Sequence, residues 1–116
     1  MISFEHARNL VEYQAGETPF LVGEPGDLMY GVVEGQVDLV LDEQVLDTIG
    51  PGGILGEMSL VDAAPRSASA VARTAARCAL ITKDEFTFLV QEHPTFAFDV
   101  MRVLATRIRD ANHHHA

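Results

Sequence analysis

Apolar residues in this chain come first as short alternating runs and later at helical spacing. Met29 to Val33, Val37-Asp38-Leu39-Val40-Leu41 and Val45-Leu46-Asp47-Thr48-Ile49 read as strands. Gly35 marks the turn between the first two, and Asp42-Glu43-Gln44 reads as the short loop of a hairpin joining the others. Ser67 to Ala72 and Arg77 to Thr82 read as a second strand pair. All nine glycines lie between Gly16 and Gly56, so a turn-rich β half precedes a part that ends in helix. Many short strands with glycine turns predict a small antiparallel roll or barrel.

Thr82-Lys83-Asp84-Glu85 has the form of a capping box, with Thr82 as N-cap and Glu85 reaching back. It opens a helix over about 84–93 that carries Phe86, Leu89 and Val90 and stops near Pro94. A second helix is predicted over about 95–111. Phe96, Val100 and Val103 form one apolar stripe on it; Ala97, Met101, Leu104 and Ile108 form its neighbour. Arg107 falls on the first stripe, an odd place for a charge. Either its stem covers apolar surface while its head reaches water, or the guanidinium faces a ligand pocket.

With 116 residues, 47% of them hydrophobic, the chain is expected to be one globular domain spanning 1–116. No apolar run approaches the roughly 20 residues that cross a bilayer, and no signal segment opens the chain, so the expected location is cytoplasmic, without a membrane partner. A net charge of −9, with only 8 Lys and Arg, argues against a nucleic-acid partner. Cys78 is the single cysteine, which excludes an intrachain disulfide; its apolar neighbours predict a buried, inert thiol.

The candidate chemistry is concentrated in Gly56-Glu57-Met58-Ser59-Leu60 and Pro65-Arg66-Ser67-Ala68. Glu57 is an acceptor for sugar hydroxyls, and Arg66 carries a planar fork suited to phosphate. Gly56 lets backbone N–H groups approach an anion, and a short helical turn from Glu57 to Leu60 would face its N-terminus toward that anion. A sugar and a phosphate read within one short segment point to a compact nucleotide.

These two segments, together with Gly23-Glu24-Pro25-Gly26-Asp27-Leu28-Met29-Tyr30 and Gly35-Gln36-Val37 upstream, resemble the cyclic nucleotide-binding domains. That family includes the catabolite activator protein, protein kinase A and G regulatory domains, and cyclic nucleotide-gated channels. The resemblance covers about residues 11–109. It implies a mainly β fold with C-terminal helices: a double-stranded β-helix, or jelly-roll-like β-roll, over about 9–82, capped by two α-helices. By position it assigns Glu57 to the ribose 2′-hydroxyl, Arg66 and Ser67 to the cyclic phosphate, and the backbone of Gly56, Met58 and Ser59 to the same anion. In related domains the last helix is a lid over the purine, and in some an arginine stacks on the base, which implies Arg107 here. Ser67 favours cAMP over cGMP, because a threonine at that place favours cGMP in some members. The chain departs from the family where Gly53 replaces an acid and Leu55 an aromatic residue.

The function so expected is a stand-alone receptor for cAMP, or cGMP, that signals to a protein effector by moving its C-terminal helix. No helix-turn-helix, kinase, channel or cyclase segment accompanies it in these 116 residues. It would act as a monomer or as a homodimer through that helix. The alternative is a degenerate, nucleotide-free β-roll serving as a protein interaction module. An enzyme is disfavoured, since no nucleophile–base motif is present. No cofactor or metal is expected: His6 and His93 lie off the core strands, and His113-His114-His115 reads as a disordered tail or an expression remnant.

Overall fold

A computed structural model describes Ile2, Phe4 and residues 7–115, with side-chain surroundings through Asp110. The strands are β1 (Leu10–Tyr13), β2 (Leu28–Glu34), β3 (Val37–Leu41), β4 (Gln44–Ile49), β5 (Ile54–Leu55), β6 (Ser69–Ala72) and β7 (Ala76–Thr82). The helices are α1 (Glu57–Asp62), α2 (Lys83–Glu92) and α3 (Thr95–His115). Two antiparallel sheets form, ordered β1-β7-β2-β5 and β4-β3-β6. This is the β-roll with C-terminal helices that the sequence predicts.

Alternation along β2 and β7 produces two cores from one sheet. Tyr30, Val32, Ala76 and Cys78 face Val37, Ile49 and Ala70 of the other sheet, with Phe20 and Leu55 in the same cluster. Met29, Ala79 and Ile81 face the opposite way, onto Leu60, Phe96 and Val100. A strand with both faces covered needs near-continuous apolar sequence, which β2 and β7 have. Phe4 lies across Gly31, where a Cβ would come 2.5 Å from its ring. It meets Phe96 edge-on at 6.4 Å, and Phe96 meets Phe86 at 5.5 Å, which ties α2 and α3 to the sheet.

The segments read as a second strand pair do not pair with each other. β6 pairs with β3, whereas β7 pairs with β1 and β2, so the two belong to different sheets. The reason lies at the corner between them. Arg73 and Thr74 donate their N–H groups to Gln36 O, and Gln36 N–H donates to Thr74 Oγ1 at 3.1 Å. The chain therefore crosses between sheets beside the β2–β3 corner rather than folding back. β6 also begins at Ser69, because the preceding residues turn toward the site described below.

The β3–β4 hairpin closes on two residues, Asp42 (φ 51°) and Glu43 (φ 64°), with Gln44 already in the strand. Both conformations suit Asn-Gly better than Asp-Glu. Asp42→Asn combined with Glu43→Gly is expected to stabilise the fold by about 1 kcal/mol, read as a raised midpoint in urea; an unchanged midpoint would contradict this.

Thr82 caps α2, its Oγ1 accepting from Glu85 N–H at 3.1 Å. The reciprocal half of the box is diverted, for Glu85 Oε1 accepts from Arg8 N–H at 3.5 Å. On α3 the first stripe is packed, whereas Met101 and Ile108 of the second are exposed along with Phe98. Helix α3 continues past Ala111 to His115, where a tail was expected. His6 and the side chains of His113, His114 and His115 lie outside the described residues. Cys78 is fully buried, and burial pushes its thiol up to about 11, so it stays protonated and unreactive at neutral pH.

Candidate functional site

Gly56 ends β5 and starts α1 in the left-handed region, at φ 75°. That turn sends the chain abruptly from sheet to helix and places Glu57 at the first helical position. No side chain caps α1, so its first backbone N–H groups are open to another acceptor. At the far end Ala63 also adopts a left-handed conformation, and Ser59 Oγ donates to Ala64 O at 2.7 Å. The Ser59 hydroxyl proton is thus spent on closing the loop, leaving its backbone N–H as the donor for an anion. Met58 turns its side chain outward, so it too can contribute only backbone.

Arg66 returns from that loop into the interior. Its N–H donates to Glu24 O, and its carbonyl accepts from Gly23 N–H, which fastens the segment to the turn at 23–26. The side chain is only 6% exposed. Its guanidinium lies 4.4 Å from the centroid of the Phe20 ring and 5.7 Å from that of Tyr30. Two glycines make the space: a Cβ on Gly26 would run into the guanidinium, and one on Gly56 would come 2.6 Å from Nη1. Nη1 donates to Gly56 O at 3.0 Å. Among the described residues no carboxylate lies within ion-pair distance of Arg66. A buried cation without a counter-ion is costly, and an anion in the adjoining space would offset that cost. The guanidinium field also reaches Tyr30, where it opposes the rise in phenol pKa that burial causes.

A cavity of about 180 Å³ joins these parts, lined by Gly56, Glu57, Met58, Ser59, Arg66, Ser67 and Arg107 over Phe20, Leu39 and Ala68. All seven residues singled out from the sequence meet there. Ser67 is exposed at the mouth. Arg107, from α3, donates through Nη1 to Glu57 Oε1 at 2.9 Å and through Nη2 to Ile54 O at 2.7 Å. Phe20, Leu39 and the steric role of Gly26 were not singled out in the sequence. Each is an ordinary residue there, and only the path of the chain brings it to the site. A larger cavity, about 620 Å³, lies between Ile2, Phe4 and helices α2 and α3, but there the carboxylates of Asp84, Glu85 and Asp99 outnumber the single guanidinium of Arg8, a poor setting for an anion. Chemistry, not volume, selects the smaller one.

One of the two departures from the family pattern, at Gly53, has a steric explanation. A Cβ at Gly53 would come 2.5 Å from Ile49 Cγ2 and 3.0 Å from Gly50 O, so an acid there would not fit. Leu55 is fully buried between the sheets.

Residues 10–93 match the family model of the cyclic nucleotide-binding domain. A CRP-like cAMP-activated global transcriptional regulator of Mycobacterium tuberculosis is 33% identical over 107 residues, covering 88% of this chain and 48% of that protein. The chain spans about half the length of that regulator and of the cyclic AMP receptor protein of Thermus thermophilus. Among solved structures, a cyclic nucleotide-binding domain from Methylobacillus flagellatus superposes with a TM-score of 0.80 at 26% identity, covering 90% of this chain and 64% of that one. A structure from a cyclic-GMP-dependent signalling pathway in bacterial phytopathogenesis has a TM-score of 0.75 at 32% identity, covering 87% and 84%. No helix among the described residues is long and apolar enough to cross a membrane. With the β-roll, the glycine-opened helix and the buried arginine all present in the matched segment, the chain belongs to the cyclic nucleotide-binding domain family.

Proposed function

We propose that this chain is a cyclic nucleotide receptor that takes cAMP in preference to cGMP. The cyclic phosphate bonds to Arg66 and Ser67 and to the open amides around Gly56, Met58 and Ser59, and Glu57 accepts from the ribose 2′-hydroxyl. The observation that carries this reading is the buried guanidinium of Arg66, without a carboxylate partner among the described residues, within the cavity that Glu57 also lines. A cyclic phosphate supplies one delocalised negative charge, which answers the buried guanidinium of Arg66. The cAMP-activated regulator named above supports the same ligand, and Ser67 favours it over cGMP.

Signalling follows from the reach of α3 into the site. Arg107 ties that helix to Glu57, so a ligand that engages Glu57 alters the position of α3. Phe98, Met101 and Ile108 are 66%, 52% and 61% exposed, an apolar strip through which a protein effector or a second copy can read the change.

Thermal unfolding with a nucleotide panel tests the ligand. At about 100 times the dissociation constant, cAMP should raise the midpoint by about 10 °C, cGMP by less, and 5′-AMP little. Equal shifts for cAMP and 5′-AMP would contradict recognition of the cyclic phosphate. No shift with any of them would favour the nucleotide-free interaction module.

A further inference from the structure

The larger cavity, about 620 Å³, has no part in the receptor reading and shares no lining residue with the cavity around Arg66. Its volume falls within the roughly 300–1,000 Å³ of pockets that take small organic molecules. Helices α2 and α3 furnish it by the same spacing. On α2, Asp84 and Phe88 stand at i and i+4; on α3, Phe96 and Asp99 stand at i and i+3. Either spacing puts a carboxylate one turn from an aromatic ring on the same helix face, with about 5–6 Å between the Cβ atoms. All four of these residues line the cavity, and so do Glu85 and Leu89, again at i and i+4. Phe96 is buried, but Phe88 is 52% exposed, so an apolar ligand finds ring surface there still to cover.

The carboxylates keep acceptors to spare. Among the described residues Asp84 enters no ion pair, and Glu85 gives one oxygen to Arg8 N–H at 3.5 Å and retains the other. Asp99 bonds Arg102 through Oδ1 alone. Against these three, Arg8 supplies the one guanidinium among the lining residues, and no lysine lines the cavity. We infer that this cavity is a second ligand site, which takes an amphipathic organic cation: an aromatic or branched alkyl body covering Phe88 and Leu89, and an ammonium held by Asp84 and Glu85. An ammonium has three donors, which suits two adjacent carboxylates, and its charge is also attracted by the face of a phenyl ring. A neutral analogue loses that attraction, and an anionic one meets repulsion. This inference does not rest on the receptor reading.

The chain has no tryptophan, so the emission of an indole ligand can be followed without background. Tryptamine, tryptophol and indoleacetate share that ring and differ in the charge at the end of a short chain. On titration with the full chain, tryptamine anisotropy should saturate with a dissociation constant of roughly 0.1–1 mM. Tryptophol should bind about fivefold more weakly, the worth of ion pairs open to water, and indoleacetate more weakly still. Asp84→Asn combined with Glu85→Gln should bring tryptamine to the level of tryptophol. Phe88→Ala should weaken tryptamine and tryptophol alike. Arg8→Ala removes the opposing cation and should tighten tryptamine, a gain that loss of fold cannot imitate. Equal affinity for all three ligands would overturn the inference, as would tryptamine binding that ignores every one of these substitutions. So would the absence of saturable tryptamine binding at millimolar protein.

Discussion

Arg66→Met is expected to lower affinity for cAMP by about 2–5 kcal/mol, roughly 30- to 5,000-fold, while the unliganded protein stays within about 1 kcal/mol of its original stability. Loss and retention have the same origin. The guanidinium is 6% exposed with no carboxylate partner among the described residues, so under the proposed function a bound phosphate would offset its desolvation. Methionine fills the space over Phe20 and removes that burden, at the cost of the cation–π contact and the bond to Gly56 O. Calorimetry and urea unfolding on the same sample separate the two effects. A variant that lost affinity only because it lost its fold would contradict this account, as would one that kept full affinity.

Gly35→Ala is expected to destabilise the fold by about 3 kcal/mol or more. Gly35 has a φ of 80°, and a Cβ there would overlap the carbonyl oxygen of Ala75 and come 2.8 Å from Ala76 Cα. Those neighbours are backbone, so they cannot rotate aside. They are also the corner that carries the chain from β6 to β7, and moving it strains both sheets together. Gly16→Ala is the matching control, because it has φ 91° but nothing within 4 Å of the added carbon. It should cost only about 1–2 kcal/mol, the backbone strain alone. Equal losses for the two variants in urea unfolding would show that the corner is not tightly packed.

Local patterns foretold this fold wherever one element determines itself. The β3–β4 hairpin was legible because its strands alternate and adjoin, and the start of α2 because Thr82 and Glu85 sit at capping spacing. The pairing of β6 was not, since it depends on Gln36 holding the corner at Arg73 and Thr74, a contact between distant segments. β5 is two residues long, too short to show a period, and exists because Ile54 and Leu55 dock on β2. The motif residues of the site were legible as chemistry, being polar tools set among glycines. The setting of Arg66 was less so: Phe20 beneath it and Gly26 beside it carry no local mark of that role. Arg107 attracted notice as a charge on an apolar stripe, but only the docking of α3 reveals that it meets Glu57 and nears Asp47.

The central claim is that the cavity around Arg66 is a working receptor site. Calorimetric titration of the purified chain with cAMP, after denaturing and refolding to strip any carried nucleotide, tests it most directly. The account predicts saturable one-to-one binding with a dissociation constant of roughly micromolar or tighter. A folded, nucleotide-stripped sample that gives no heat with millimolar cAMP or cGMP would contradict it.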